Sequence, residues 1–258
     1  MLKIDRQKFL ENELKTYGSI IISEVSKKIG VSEETIRRDL KEMEKKNVLK
    51  RIHGGAYLPD IEDKGAPSKL RETFLSNTKN NISKYVIKNL INDKDSIILD
   101  SSTTCVSLAK MILAEDLNIT IITNSLKIMM LFEEKNTNTK LISIGGDFRN
   151  RSCSFTGYQS TQAISNYVAD KSFISCSAIS KNHGLLDNSQ AESQIRKYFI
   201  KHSIVRYLLI DHTKFDDIAD YIINPLNVIN EIITNKKPNE EWIDVLNSLN
   251  IKVKWIDE

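Results

Sequence analysis

The sequence predicts two unequal domains, an N-terminal winged helix-turn-helix and a larger α/β domain built on a mostly parallel sheet. Three observations carry this expectation. Within the first 58 residues a helix, a glycine turn, a second capped helix and a short strand follow one another. From Ser96 onward, short apolar runs alternate with helical stretches, the pattern of parallel strands covered on both faces. The charge is also divided. Residues 1–58 hold 13 Lys+Arg against 9 Asp+Glu, net +4, which leaves 24 against 25 for the remaining chain. Positive charge confined to the first module favours a phosphate-backbone partner there and none for the second.

The first helix pattern runs from Ile4 to Thr16, with Leu10 and Leu14 at i, i+4 and Tyr17-Gly18 as its end. Ser23 to Gly30 reads as a short helix with Val25 and Ile29 inward and Gly30 as a left-handed stop. Ser32 is then a good N-cap, because its hydroxyl can accept from the free amides of the next turn. Glu33 and Glu34 sit where the helix dipole favours acids, and Val31 with Ile36 matches a hydrophobic staple. At about 100° per residue, Ile36, Leu40 and Met43 share one face, and Glu34, Arg38, Lys41 and Lys45 fall opposite. Early polar residues with cations behind them suit a recognition helix in a DNA major groove. Taken alone, the stretch fits an ordinary solvated amphipathic helix equally well. The preceding helix and glycine turn, with the following Val48–Ile52 strand and His53-Gly54-Gly55-Ala56 turn, favour a winged helix.

Val31-Ser32-Glu33-Glu34-Thr35-Ile36-Arg37-Arg38-Asp39-Leu40, followed by Leu49-Lys50-Arg51-Ile52-His53-Gly54-Gly55-Ala56, resembles the DeoR-type bacterial transcription regulators. The resemblance implies a DNA-binding domain joined to a sugar-phosphate-sensing domain. The expected DNA-binding residues are Ser32, Glu34, Thr35, Arg37 and Arg38, with Lys41, Arg51 and His53 on phosphates.

The expected organisation is a DNA-binding domain over 1–58, a linker over 59–75 and an effector domain over 76–258. Residues 58–68 hold two of the four prolines and no periodicity. A polar helix pattern from Lys69 to about Leu90 follows, with Ile82, Val86 and Leu90 on one face. Cys105, Cys153 and Cys176 are odd in number and far apart, without a Cys-x-x-Cys pair or histidines at ligand spacing. Reduced thiols are expected, and no metal site. Cys105 follows a hydroxyl-rich loop at a helix start and is expected to be a small core filler. No apolar run reaches the ~18 residues that span a bilayer, and Met1-Leu2-Lys3-Ile4-Asp5 lacks the apolar core of a signal peptide. The expected compartment is the cytoplasm.

The strand candidates are residues 97–99, 119–122, 141–144, 173–175, 205–210, 231–233 and 253–255, and the helices between them are 106–114, 126–134, 159–168, 190–202 and 240–249. Ligands in such sheets sit beyond the strand carboxyl ends. There the chain places Asp100, Ser101, Ser102, Thr103 and Thr104; then Thr123, Asn124 and Ser125; then Gly145, Gly146 and Arg149; then Asp211 to Lys214. Hydroxyls, backbone amides at helix starts and a few cations are the chemistry of an anion pocket. Any one of these loops is also explained by ordinary turn and cap residues.

The same loops, with Phe155-Thr156-Gly157, Gly184-Leu185 and Glu192, resemble the sensor domain of that family, whose fold is similar to the ribose-5-phosphate isomerase and CoA-transferase type. The family pattern Asp-Ser-Gly-Thr-Thr has Ser102 here in place of the glycine, which either adds a hydroxyl or narrows the pocket. In the related isomerases a carboxylate and a lysine near the sugar take part in proton transfer. Here Glu192 and Lys214 read instead as a hydroxyl acceptor and a phosphate-binding cation, since no second carboxylate in a matching motif accompanies them. The reading is a DNA-binding repressor of a carbohydrate-utilisation operon. Its partners are double-stranded operator DNA and a phosphorylated sugar effector, with no other cofactor. It is expected to be a homodimer or homotetramer and not an enzyme. The competing class is a sugar-phosphate isomerase carrying a DNA-binding arm.

Overall fold

A computed structural model describes residues 1–52, 54–58, 65–133 and 136–256. They divide into two compact units, 1–75 and 76–258.

The first unit contains α1 (Lys3–Tyr17), β1 (Ser19–Ile21), α2 (Ile22–Ile29), α3 (Glu33–Lys45), β2 (Lys50–Ile52), β3 (Gly55–Tyr57) and α4 (Ser68–Thr73). Helices α1 and α2 end at Gly18 and Gly30, both left-handed, and Ser32 caps α3 by accepting from the Thr35 amide at 3.3 Å. Leu10, Leu14, Val25, Ile36, Leu40 and Met43 form one buried core, so the helix faces are those the apolar spacing predicts. Asp39 also points inward, 2% exposed, and pairs with Arg6 of α1. The strands form an antiparallel sheet in the order β1-β3-β2. Strand β3 runs through residues expected as a turn. Its central place depends on Gly55, where a Cβ would collide with the Ile20 carbonyl and the Leu70 side chain. Three-residue strands such as β1 and β3 are too short to show a period of two in sequence.

The polar helix expected from Lys69 to Leu90 is two helices. Chain direction breaks at Phe74, which is extended, and Leu75, which has φ +49°. Leu70 of α4 is fully buried with Ile21 and Tyr57. Beyond the break, Ile82 and Val86 are buried in a different core. Two cores, each claiming one half of the apolar pattern, account for the interruption.

The second unit contains α5 (Ser76–Leu90), β4 (Ser96–Leu99), α6 (Thr103–Ala114), β5 (Thr120–Thr123), α7 (Leu126–Met130), β6 (Lys140–Ser143), β7 (Asp147–Arg149), β8 (Ser154–Thr156), α8 (Tyr158–Ile164), β9 (Ala169–Ile174), β10 (Ala178–Ser180), β11 (Gly184–Asp187), α9 (Gln190–Lys201), β12 (Ser203–Leu209), β13 (Tyr221–Asn224), β14 (Glu231–Thr234), α10 (Glu240–Ser248) and β15 (Lys252–Trp255). The seven apolar runs are the seven strands of one parallel sheet, in the order β15-β14-β12-β9-β4-β5-β6. Alternate residues supply two cores. Ile98, Ile122, Ile174 and Leu208 pack with Phe199 of α9 and Trp242 of α10. Ile97, Leu99, Ile121 and Phe173 pack with Ile82 of α5 and Ile112 of α6. The chain proceeds from β4 outward to β6 and then returns to β9 on the other side of β4. That reversal is the topological switch point where ligands bind in open α/β sheets. The antiparallel ribbons β7-β8 and β10-β11-β13 are additions that the sequence reading does not contain. Among the described residues no helix is long and apolar enough to cross a membrane.

Candidate functional site

Helix α3 presents Glu34, Arg37, Arg38 and Lys41 outward. Arg38 is the freest, its side chain 78% exposed and 3.5 Å from Glu34. Arg37 lies 2.6 Å from Glu33 and 3.7 Å from Glu34. The two acids therefore hold both arginines along the helix, in pairs too exposed to be strong. Thr35 stays at the first turn, its hydroxyl 2.9 Å from that of Ser32. Arg51 on β2 is held by Glu44, through Nε at 2.7 Å and its backbone amide at 2.9 Å. This pairing holds the Glu44 carboxyl below its usual range. His53 lies outside the described residues.

In the second unit the strand-end loops converge around an arginine the sequence reading did not single out. Arg196 of α9 is 4% exposed. Its Nε donates to Asp100 at 2.8 Å and its Nη1 to Asp187 at 2.6 Å, with Glu192 at 3.7 Å. Burial by itself would lower the guanidinium pKa. The charges of Asp187, Asp100 and Glu192 more than reverse that, so Arg196 stays cationic.

Asp100, expected to accept from a sugar, has both carboxylate oxygens engaged inside the protein. Oδ1 accepts from the Ser102 amide at 2.9 Å. Oδ2 accepts from the Ser175 amide at 2.9 Å as well as from Arg196. Burial pushes its pKa up, but the Arg196 charge and these hydrogen bonds outweigh burial and hold it below the usual value. It is thus a brace between the loops after β4 and β9, the two strands that flank the switch point.

Glu192 lies in the first turn of α9, 4% exposed. Ser101 donates to its Oε2 at 3.0 Å and Ser154 to its Oε1 at 2.5 Å, while Arg149 approaches Oε1 at 3.8 Å. Asn124 is fully buried and donates to the Phe155 carbonyl at 2.8 Å. Its side-chain oxygen has no hydrogen-bond partner among the described residues. The loops after β4, β5 and β6 and the start of α9 are therefore brought together.

Ser102 needs no glycine-like backbone. At φ −67° it caps α6, accepting from the Cys105 amide at 3.2 Å. Thr103 and Thr104 begin that helix and are nearly buried, and Cys105 is fully buried, its thiol pushed well above its ordinary pKa by burial. Thr123 donates to the Leu99 carbonyl at 2.7 Å and Ser125 caps α7. Gly145 and Gly146 are exposed. Gly146, at φ +141°, lies so close to Ser160 and the Thr156 carbonyl that a Cβ would not fit. Lys214 sits in a short 3-10 turn, residues 212–214, after β12. Its charge is felt at the buried Cys176 thiol, whose pKa burial raises to about 12.

Arg196, Asp187, Ser154 and Ser175 do not stand out in the sequence as site residues. Arg196 carried one available signal, because it stands four residues after Glu192 and so shares its helix face. Asp187, Ser154 and Ser175 enter only through strand pairing and loop positions that no local pattern reveals.

Residues 6–62 match a family model described as a DeoR-like helix-turn-helix domain, and residues 75–236 match one described as a DeoR C terminal sensor domain. The chain is 31% identical over 255 residues to the uncharacterized HTH-type transcriptional regulator YulB of Bacillus subtilis, covering 98% of this chain and 96% of that protein. It is 30% identical over 254 residues to a lactose phosphotransferase system repressor of Staphylococcus epidermidis, covering 95% and 100%. Ribose 5-phosphate isomerase A from Methanocaldococcus jannaschii is similar over 54% of each chain, at 16% identity and a TM-score of 0.39. The chain belongs to the DeoR family of helix-turn-helix transcriptional regulators.

Proposed function

We propose that the protein is a cytoplasmic repressor of a carbohydrate-utilisation operon, and that a phosphorylated sugar bound at the switch point of the second unit changes its operator affinity. The observation that carries the effector reading is the Asn124 side-chain oxygen, buried without a partner among the described residues in the midst of the converging loops. Buried polar atoms are normally satisfied, and a ligand hydroxyl would satisfy this one. Thr103 and Thr104 at the start of α6, with Lys214, supply donors and charge for the phosphate. The lactose phosphotransferase system repressor among the relatives supports the sugar class. The test is isothermal titration with a panel of sugar phosphates. Lys214→Ala should weaken binding of the active compound at least about tenfold while operator binding of the ligand-free protein stays within about twofold. Equal sugar-phosphate affinity in the variant overturns the placement of the phosphate.

The DNA half of the reading rests on residues 1–58, net +4. If five or six phosphates are neutralised, log K falls against log salt with a slope near about −5; a flat dependence contradicts it. Arg38→Ala removes the most exposed arginine of α3, and if Arg38 reads a guanine it costs ~1–3 kcal/mol and relaxes preference at one base pair. Measuring affinity for operators altered one base pair at a time checks this. A single small winged helix buries too little surface for tight specific binding, so a homodimer or homotetramer on half-sites spaced by whole helical turns completes the proposal. The break at Phe74-Leu75, at the division between the two units, is the segment through which the switch would act.

A further inference from the structure

Beside the Arg149–Glu192 pair lies a cleft of about 580 Å³ that the residues after β4 and β5 do not line. One wall is the β7-β8 ribbon. Its register places Asp147 opposite Thr156 and Arg149 opposite Ser154, so these four share one face while Phe148 and Phe155 share the other. The inner pair, Arg149 and Ser154, reaches the Glu192 carboxylate. The outer pair, Asp147 and Thr156, lines the cleft. The facing wall is a stripe of α9, Gln190, Gln194 and Tyr198 at successive i, i+4 steps, and Tyr158 at the start of α8 completes the rim. Gly157 lets the Asp147 carboxylate lie against the backbone there, since a Cβ at Gly157 would strike it.

We infer that this cleft is a second ligand site, one that takes a neutral, polyhydroxylated molecule such as an unphosphorylated hexose or hexitol. Its volume falls in the usual range for small-molecule sites. Two exposed primary amides, Gln190 and Gln194, can each donate and accept, which matches vicinal hydroxyls, and the exposed Asp147 carboxylate adds a further acceptor. Two tyrosines offer flat apolar faces for the C–H surface of a sugar. Charge argues against an anion. The cleft's one cation, Arg149, faces Glu192 at 3.8 Å, and Asp147 adds a negative charge. A phosphate would meet a carboxylate without a spare cation, whereas hydroxyls meet acceptors. The site is independent of the phosphate pocket proposed above and does not need Lys214.

Saturation-transfer NMR on the full chain with D-glucose, D-galactose and D-mannitol tests this, with Gln194→Ala and Lys214→Ala as the two variants. Alanine at an exposed helical position preserves α9, and circular dichroism checks that both variants fold. The expected result is transfer to at least one of the three compounds in the wild type and in Lys214→Ala, with affinity reduced about tenfold or more in Gln194→Ala. No transfer to any of the three overturns the inference. So does equal affinity in Gln194→Ala. Loss in Lys214→Ala with retention in Gln194→Ala also overturns it, because the sugar would then occupy only the phosphate pocket.

Discussion

Replacing Arg196 by alanine is expected to destabilise the second unit by about 3–5 kcal/mol, the usual consequence of stranding a buried charge. Two carboxylates depend on it directly. Asp100 and Asp187 are 1% and 6% exposed, and each accepts a hydrogen bond from the guanidinium. The pH dependence distinguishes this cause from simple loss of packing. In the wild type Asp100 is held below its unfolded pKa, so its contribution is present above that value and is lost as pH falls through the folded one. In Arg196→Ala only the Ser102 and Ser175 amides still oppose burial, so the carboxyl pKa rises from its wild-type position. The stability that the lower wild-type pKa supplies is then missing from the variant at high pH, and makes no difference at low pH, where the carboxyl is protonated in both proteins. The deficit of the variant should therefore be largest near neutrality and narrow on acidification, as chemical denaturation at several pH values would show. A deficit constant with pH would assign the loss to packing alone.

Gly55→Ala should cost roughly 3 kcal/mol, and the loss should fall on the first unit. The added methyl meets a backbone carbonyl, Ile20, and the fully buried Leu70. A carbonyl in a three-stranded sheet cannot step aside as a flexible side chain can. DNA binding should fail while sugar-phosphate binding persists, because the two cores are separate. Thermal unfolding followed by calorimetry should show an early transition for the first unit and an unchanged one for the second. At Gly145, where nothing lies within 4 Å of an added Cβ, alanine should leave both transitions in place.

Much of the fold was legible because it rests on local signals. The Ser32 cap, the Gly18 and Gly30 stops and the Ile36-Leu40-Met43 face are set by neighbours within one or two turns. The five inner sheet strands announce themselves as apolar runs because both of their faces are buried, while the edge strands β6 and β15 are only partly buried. The features that escaped are those fixed across distance. The ribbons β7-β8 and β10-β11-β13 are three or four residues per strand, and the helix break at Phe74-Leu75 reflects competition between two cores for one continuous pattern. At the site, the positions beyond the strand ends could be read from sequence order alone. Their roles could not. Asp100 looked like a ligand acceptor because nothing local shows that Arg196, 96 residues on, is its partner.

Under the proposed function, operator binding by the first unit answers to an anionic sugar ligand in the second. The most direct measurement is operator affinity, by gel shift or anisotropy, with and without the sugar phosphate that titrates tightest, for the wild type and for Lys214→Ala. A hundredfold change in the wild type corresponds to about 2.7 kcal/mol of coupling, within the ordinary reach of allostery. The expected result is a large change in the wild type that moves to higher ligand concentration in Lys214→Ala. Unchanged operator affinity at saturating ligand, or turnover of the sugar phosphate in place of a change, would contradict it.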